Sequence, residues 1–167
     1  SDLNKFSKKF RRIIKRLTYN LKLKNNIFVH RDFHVSNLML VKNQIGVIDS
    51  QDALIGNRAY DLASLIDDVR FKTSKGLKQK IYNFYINKQK KLESSKFKND
   101  FEILSILRNL KIIGIFTRLA TRDRKKKYLK LIPYTWKLIN TRIYGNVLFD
   151  DLKKLLNENF KKELNEN

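Results

Sequence analysis

Apolar residues recur three or four positions apart through the first segment. Phe6, Phe10, Ile13, Ile14, Leu17 and Leu21 mark one face of a helix running from residue 3 to about 23, with lysines and arginines opposite. "KNN" at 24–26 breaks that period, and "IFVH" at 27–30 is short and rich in β-formers. "NLMLVK" and "IGVIDS" are apolar runs separated by "NQ", which predicts a small hairpin turning near Asn43 and Gln44. After "LIGN" the helical spacing returns with Ala59, Leu62, Ala63, Leu65, Ile66 and Val69, Asn57 serving as N-cap and Asp61 falling in the first turn. Further helices are predicted over 76–92, 100–120, 125–144 and 148–164, with Pro133 kinking or dividing the third of these. No internal repeat or low-complexity linker interrupts the pattern. The fold class that follows is α+β and mainly helical, a single domain over 1–167 with a small β-element near its start.

Composition changes this picture in three ways. At 167 residues and 42% hydrophobic content, the chain suffices for one compact domain. The absence of cysteine excludes disulfides and thiolate metal sites, and makes the cytoplasm the expected location. A net charge of +21 raises nucleic acid or an anionic membrane as partners. The basic runs "KKFRRIIKR", "KQKK" and "RDRKKK" are nevertheless scattered among amphipathic segments, which favours a solvated basic surface. The longest apolar stretch, 103–120, contains Arg108, Lys111 and Arg118 and reads as a buried helix, so no membrane span is expected. The opening segment has no apolar core or cleavage site of a signal peptide, and Ser1 in place of an initiator Met points to a processed or excised piece.

The candidate chemistry lies in "VHRDFHVSNLM", 29–39. In an extended segment His30, Asp32 and His34 alternate onto one face, a workable geometry for a metal. Zinc, however, wants a third or fourth protein ligand, and the chain has only these two histidines and no cysteine. Phosphoryl transfer needs an Asp to accept a hydroxyl proton, an amide oxygen to hold a divalent ion, and a second carboxylate to clamp that ion against phosphates. Asp32, Asn37 and Asp49 supply these in order, with the hairpin returning the chain so that Asp49 ends its second strand.

The order H-R-D-x-x-x-x-N, an apolar hairpin and then an Asp resembles the catalytic core of the protein-kinase-like fold, and "HRDFHVSN" matches it at every defined position. Asp49 is followed too soon by the helix of Asp61 to leave room for the activation segment of protein kinases. His34 and "GVIDSQDALIGNRAYDLASLIDD" resemble instead the aminoglycoside phosphotransferase and choline kinase superfamily. "RNLKIIGIFTRLATRD" and "YLKLIPYTWKLI" extend the resemblance to the bacterial anomeric kinases that phosphorylate N-acetylmuramate and N-acetylglucosamine in cell-wall recycling.

This resemblance implies the C-terminal lobe of such a phosphotransferase, with a catalytic loop at 29–40, a metal-aspartate strand at 45–50 and a helical remainder at 58–164. Asp32 would be the general base, Asn37 and Asp49 would hold Mg²⁺, and ATP would be the donor. Asp61 would support the catalytic loop by accepting hydrogen bonds from it, although a first-turn Asp is also favoured by the helix dipole alone. His30 and His34 would hold the loop's shape. Arg31 would pair with a phosphate or a carboxylate. Gln51 and Asp52 would touch substrate or complete a turn. Arg108, Asn109 and Lys111 would face the acceptor pocket or form a polar stripe. Trp136 would pack in the core or stack on a sugar. The expected acceptor is a small molecule, an amino sugar above all.

Two departures accompany the resemblance. Ser50 stands where relatives usually carry an aromatic or apolar residue, and no glycine-rich loop or strand lysine precedes the first helix. The expectation is therefore a chain without the N-terminal nucleotide lobe, that lobe being its missing partner. A catalytically idle kinase-like scaffold and a basic nucleic-acid-binding module are the alternatives.

Overall fold

The computed structural model describes residues 2–160, in two compact units: 22–105, and 2–21 together with 106–160. Nine of the ten labelled helices and strands below belong wholly to one unit or the other, and the residues of one long helix are shared between them.

In the first unit, β1 (Asn25–Val29) pairs antiparallel with β4 (Leu54–Asn57), Val29 opposite Leu54 and Asn25 opposite Asn57, with a bulge between Asn25 and Ile27. β2 (Leu38–Val41) and β3 (Gln44–Val47) form the hairpin. Its turn is Lys42-Asn43, one position earlier than predicted, because both residues adopt positive φ (47° and 62°) as a type I′ hairpin requires. The β1/β4 ribbon was not anticipated: "LIGN" carries no alternation to mark it as a strand. At Gly56 a Cβ would lie 3.2 Å from Val29 Cγ2, so the small residue admits the partner strand.

α2 (Ala59–Ile66) follows directly. Asn57 Oδ1 accepts from Ala59 N at 3.0 Å, two residues on, although Arg58 between them is already helical. α3 (Lys75–Lys88) is capped by Ser74, whose hydroxyl accepts from Leu77 N. α4 (Ser94–Thr121) begins six residues before the predicted start, since Phe97 and Phe101 anchor its first turns in the core. That core joins Ala59, Leu62, Ala63 and Ile66 of α2 to Phe97 and Phe101, with Tyr82 and Tyr85 of α3 packed against it. Tyr85 stacks on Phe97 at 5.3 Å, and Tyr82 meets Phe101 edge-on at 5.1 Å.

In the second unit, α1 (Asp2–Tyr19) buries Ile13 and Leu17 and half-buries Phe6, Phe10 and Ile14, the face that the periodicity marks. It ends four residues before the predicted limit. Lys9 and Arg16 pair with Glu158 and Asp151 of α6 (Asp150–Asn159). The segment expected as one helix over 125–144 is divided: a 3₁₀ stretch over Lys126–Leu131 precedes α5 (Ile132–Ile143), and Pro133 occupies the first turn, where its missing N–H is harmless. Trp136 is buried against Phe160 with centroids 5.7 Å apart, which makes it a core residue. Positions 161–164 of the last predicted helix lie outside the described residues. Among the described residues, no helix is long and apolar enough to cross a membrane.

Candidate active site

The segment joining β1 to β2 is held by its own backbone. Arg31 takes a left-handed φ of 74°, a conformation unfavourable for a side chain of this size. It is stabilised by Asp61 of α2, whose carboxylate accepts from His30 N at 2.7 Å and from Arg31 N at 3.0 Å. One side chain therefore clamps two successive N–H groups, that of the strained residue and that of the residue before it. Replacing Asp61 by alanine should cost about 1–3 kcal/mol in urea unfolding, the scale of orphaned polar groups. A loss confined to roughly 0.3–1 kcal/mol would mean that only the helix dipole favours an acid here.

Two further bonds tie this turn to the hairpin's far strand. His30 is buried, and its Nε2 donates to the Ile48 carbonyl at 2.9 Å, which places a proton on that nitrogen because the carbonyl can only accept. Arg31 Nη1 donates to the Asp52 carbonyl at 3.2 Å. Arg31 thus engages a backbone oxygen with one of its guanidinium donors.

Asp32 and Asn37 are linked through the backbone of the same turn, and Asn37 is linked in turn to the strand that precedes Asp49. The Asp32 carbonyl accepts from His34 N at 3.0 Å and from Asn37 Nδ2 at 2.9 Å, so the Asn37 amide must present its nitrogen there and keep Oδ1 as an acceptor. Asn37, only 9% exposed, closes a 3₁₀ turn over Val35–Asn37. Its own carbonyl accepts from Ile48 N at 3.1 Å, extending the hairpin register by one pair beyond Leu38 and Val47. Asp49 is the next residue, exposed, with a left-handed φ of 68° and no ion pair among the described residues. His34 is buried in the same turn.

Gln51 and Asp52 are exposed in the turn after Asp49, with Ala53 N donating to the Ser50 carbonyl at 3.0 Å. Arg108, Asn109 and Lys111 lie on α4 within the other unit. Arg108 and Asn109 are buried and Lys111 is exposed. Neither side-chain atom of Asn109 finds a hydrogen-bond partner among the described residues, an expensive state for an amide that is 0% exposed.

Among the described residues, no three His, Cys, Asp or Glu side chains form a metal cluster. The donors at the hairpin end are instead one amide oxygen and one carboxylate. Such a pair fits a hard divalent ion that keeps several waters and phosphate oxygens as its other ligands. An apolar groove of about 380 Å³, lined by Phe28, Phe33, Leu65, Ile81, Phe84 and Tyr85 with Asp61 and Arg58 at its edge, was missed in the sequence. Burial holds its Tyr85 hydroxyl above the ordinary phenol range. No local spacing announces this groove, because its walls come from β1, the loop, α2 and α3.

A family model described as "Phosphotransferase enzyme family" matches residues 2–90. An N-acetylmuramate/N-acetylglucosamine kinase of Caulobacter vibrioides is 32% identical over 130 residues, covering 75% of this chain and 34% of that protein. Its counterpart in Neisseria meningitidis serogroup B is 39% identical over 113 residues, 64% of this chain and 34% of the relative. The Pseudomonas aeruginosa kinase of the same name is 33% identical over 136 residues, 78% and 40% respectively. The chain therefore matches about a third to two fifths of the length of these relatives.

Proposed function

The chain belongs to the phosphotransferase enzyme family, and from that membership we propose that it is the base- and metal-bearing portion of an ATP-dependent small-molecule kinase. The observation that supports this reading is the run of hydrogen bonds from the Asp32 carbonyl through Asn37 to Ile48, which ties the residues bearing the two carboxylates and the amide to one end of a hairpin. Phosphoryl transfer asks for positioning and charge stabilisation more than for covalent chemistry by the protein, so a rigid set of oxygens is what it needs.

In this reading the Asp32 carboxylate accepts the proton of the acceptor hydroxyl as that oxygen attacks the γ-phosphorus. The phosphorus–oxygen bond to ADP breaks as the new one forms. Asn37 Oδ1 and the Asp49 carboxylate are the residues that would hold Mg²⁺, which supplies charge neutralisation on the phosphates when bound. His30, Asp61 and the Arg31 guanidinium keep the loop and the strand after it in register. The relatives' names supply the acceptor class, an amino sugar such as N-acetylmuramate or N-acetylglucosamine. Of the three α4 candidates, Asn109 is favoured for acceptor recognition because its buried amide is unpaired.

The reading assigns the phosphate-covering loop and its lysine to the whole protein's counterpart of the relatives' remaining length. Release of ADP should accordingly be slow with this chain alone, and brisk with the full-length protein given Mg-ATP and one of N-acetylmuramate, N-acetylglucosamine, choline or an aminoglycoside. Turnover with an amino sugar alone supports the acceptor assignment, and turnover with choline or the aminoglycoside alone replaces it. Silence with all four, together with no binding of Mg-ATP, would leave a kinase-like scaffold without activity.

A further inference from the structure

The basic runs that are scattered along the sequence are partly gathered in space. Lys22, Lys24, Arg58, Lys91 and Lys96 line one cleft of about 280 Å³ with Leu23, Asn26, Leu92 and Glu93. Five cationic side chains thus face a single carboxylate, and that carboxylate is already paired with Lys96 at 2.8 Å. The cleft lies by the Asn25 and Asn57 end of the β1/β4 ribbon, while the catalytic loop leaves from its Val29 end.

The walls of the cleft are held by a buried acid. Asp100, 0% exposed, accepts from Lys22 N at 2.8 Å and Leu23 N at 2.9 Å with its two carboxylate oxygens. Asn57 Nδ2, next to Arg58, donates to the same group at 2.7 Å, and Asn99 Nδ2 donates at 2.9 Å. The segments bearing Lys22, Lys24 and Arg58 are therefore fixed relative to one another. Confining like charges in a concavity raises the local potential and concentrates counter-ions there. Lys22, Lys24, Arg58 and Lys91 make no ion pair among the described residues, so an anion in the cleft would offset their mutual repulsion.

We propose that this cleft is a binding site for a small multivalent anion bearing phosphate groups. Phosphate suits the donor set, compact ammonium charges beside one planar guanidinium. The ligand is small because the cavity lies at the lower limit of small-molecule sites, which begin at about 300 Å³. A small anion is favoured over a single strand of nucleic acid, because the lining contains no aromatic ring on which a base could stack. The site does not depend on the phosphotransferase reading, since none of its residues belongs to the catalytic loop.

Tripolyphosphate, titrated calorimetrically into the whole chain without divalent metal, is the probe. Saturable binding is expected, weakening with added salt. The double variant Lys24→Gln/Lys91→Gln should raise Kd by roughly tenfold, the effect of losing two favourable charge contacts. Two controls should leave Kd unchanged: Lys125→Gln/Lys126→Gln, which removes the same charge from another segment, and Asp49→Asn, which alters the catalytic hairpin. No binding at millimolar tripolyphosphate, or equal weakening in the lysine control, would overturn the site. Tighter binding in Asp49→Asn, where a carboxylate that repels metal-free polyphosphate has been neutralised, would assign the anion to the catalytic end. An oligonucleotide that binds more tightly than tripolyphosphate and is released by the cleft variant would refute the small-anion assignment.

Discussion

Full-length protein carrying Asp32→Asn should turn over Mg-ATP and N-acetylmuramate about 10²–10⁴-fold more slowly than the native protein, the span for loss of a positioned general base. The substitution is informative because the loop does not lean on this carboxylate. His34 N and Asn37 Nδ2 both bond to the Asp32 carbonyl, and no side-chain hydrogen bond of Asp32 is present among the described residues. Asparagine keeps the size and the carbonyl, so the unfolding midpoint should stay where it is. A rate drop with an unchanged midpoint locates the effect in the chemistry. A rate equal to that of the native protein would remove Asp32 from its role and with it the centre of the proposed site.

Asp100→Ala should be the most damaging change to stability, about 3–5 kcal/mol in urea unfolding, on the scale of breaking a buried charge network by removing one member. Two backbone N–H groups and two side-chain amides lose their acceptor together. The Asn57 amide, buried with Asp100, has no water to turn to, while the other three lie at the partly exposed edge of the network. Asp100→Asn keeps one acceptor oxygen and should fall between alanine and the native residue. If alanine cost less than roughly 1 kcal/mol, no more than one ordinary neutral hydrogen bond would be lost, and the network would have to be satisfied from elsewhere.

What the sequence made legible was what it encodes locally. The α1 face, the hairpin and the spacing from Asp32 to Asn37 to Asp49 all depend on residues within a few turns or strands of one another, and their periods are undisturbed. β4 was invisible because its pairing partner is nearly thirty residues away and its own four residues hold a glycine and an asparagine. The start of α4 was missed because "SSKFKND" is too polar to show a face, and only the packing of Phe97 and Phe101 reveals one. Asp100 could be read as a first-turn acid and nothing more, since Lys22, Leu23 and Asn57 reach it only after folding. In the candidate site, side-chain types were readable, whereas the backbone carbonyls of Ile48 and Asp52 that receive His30 and Arg31 were not.

The hairpin and the β1/β4 ribbon also set how the chain behaves as a solute. Leu40 is 72% exposed, Ile45 65%, Ile55 64% and Phe28 62%, on ribbons of two strands that each leave both edges open. Open edges with apolar faces are templates for adding further strands. Against this stands the +21 charge, which makes every pair of molecules repel. The two act over different ranges: repulsion reaches about 10 Å at 0.1 M salt and shrinks to about 3 Å at 1 M, while apolar attraction operates at contact and is not screened. Ionic strength is therefore the variable that decides whether the chain stays dispersed, and its lysine-rich surface serves as a colloidal stabiliser for the strands it surrounds.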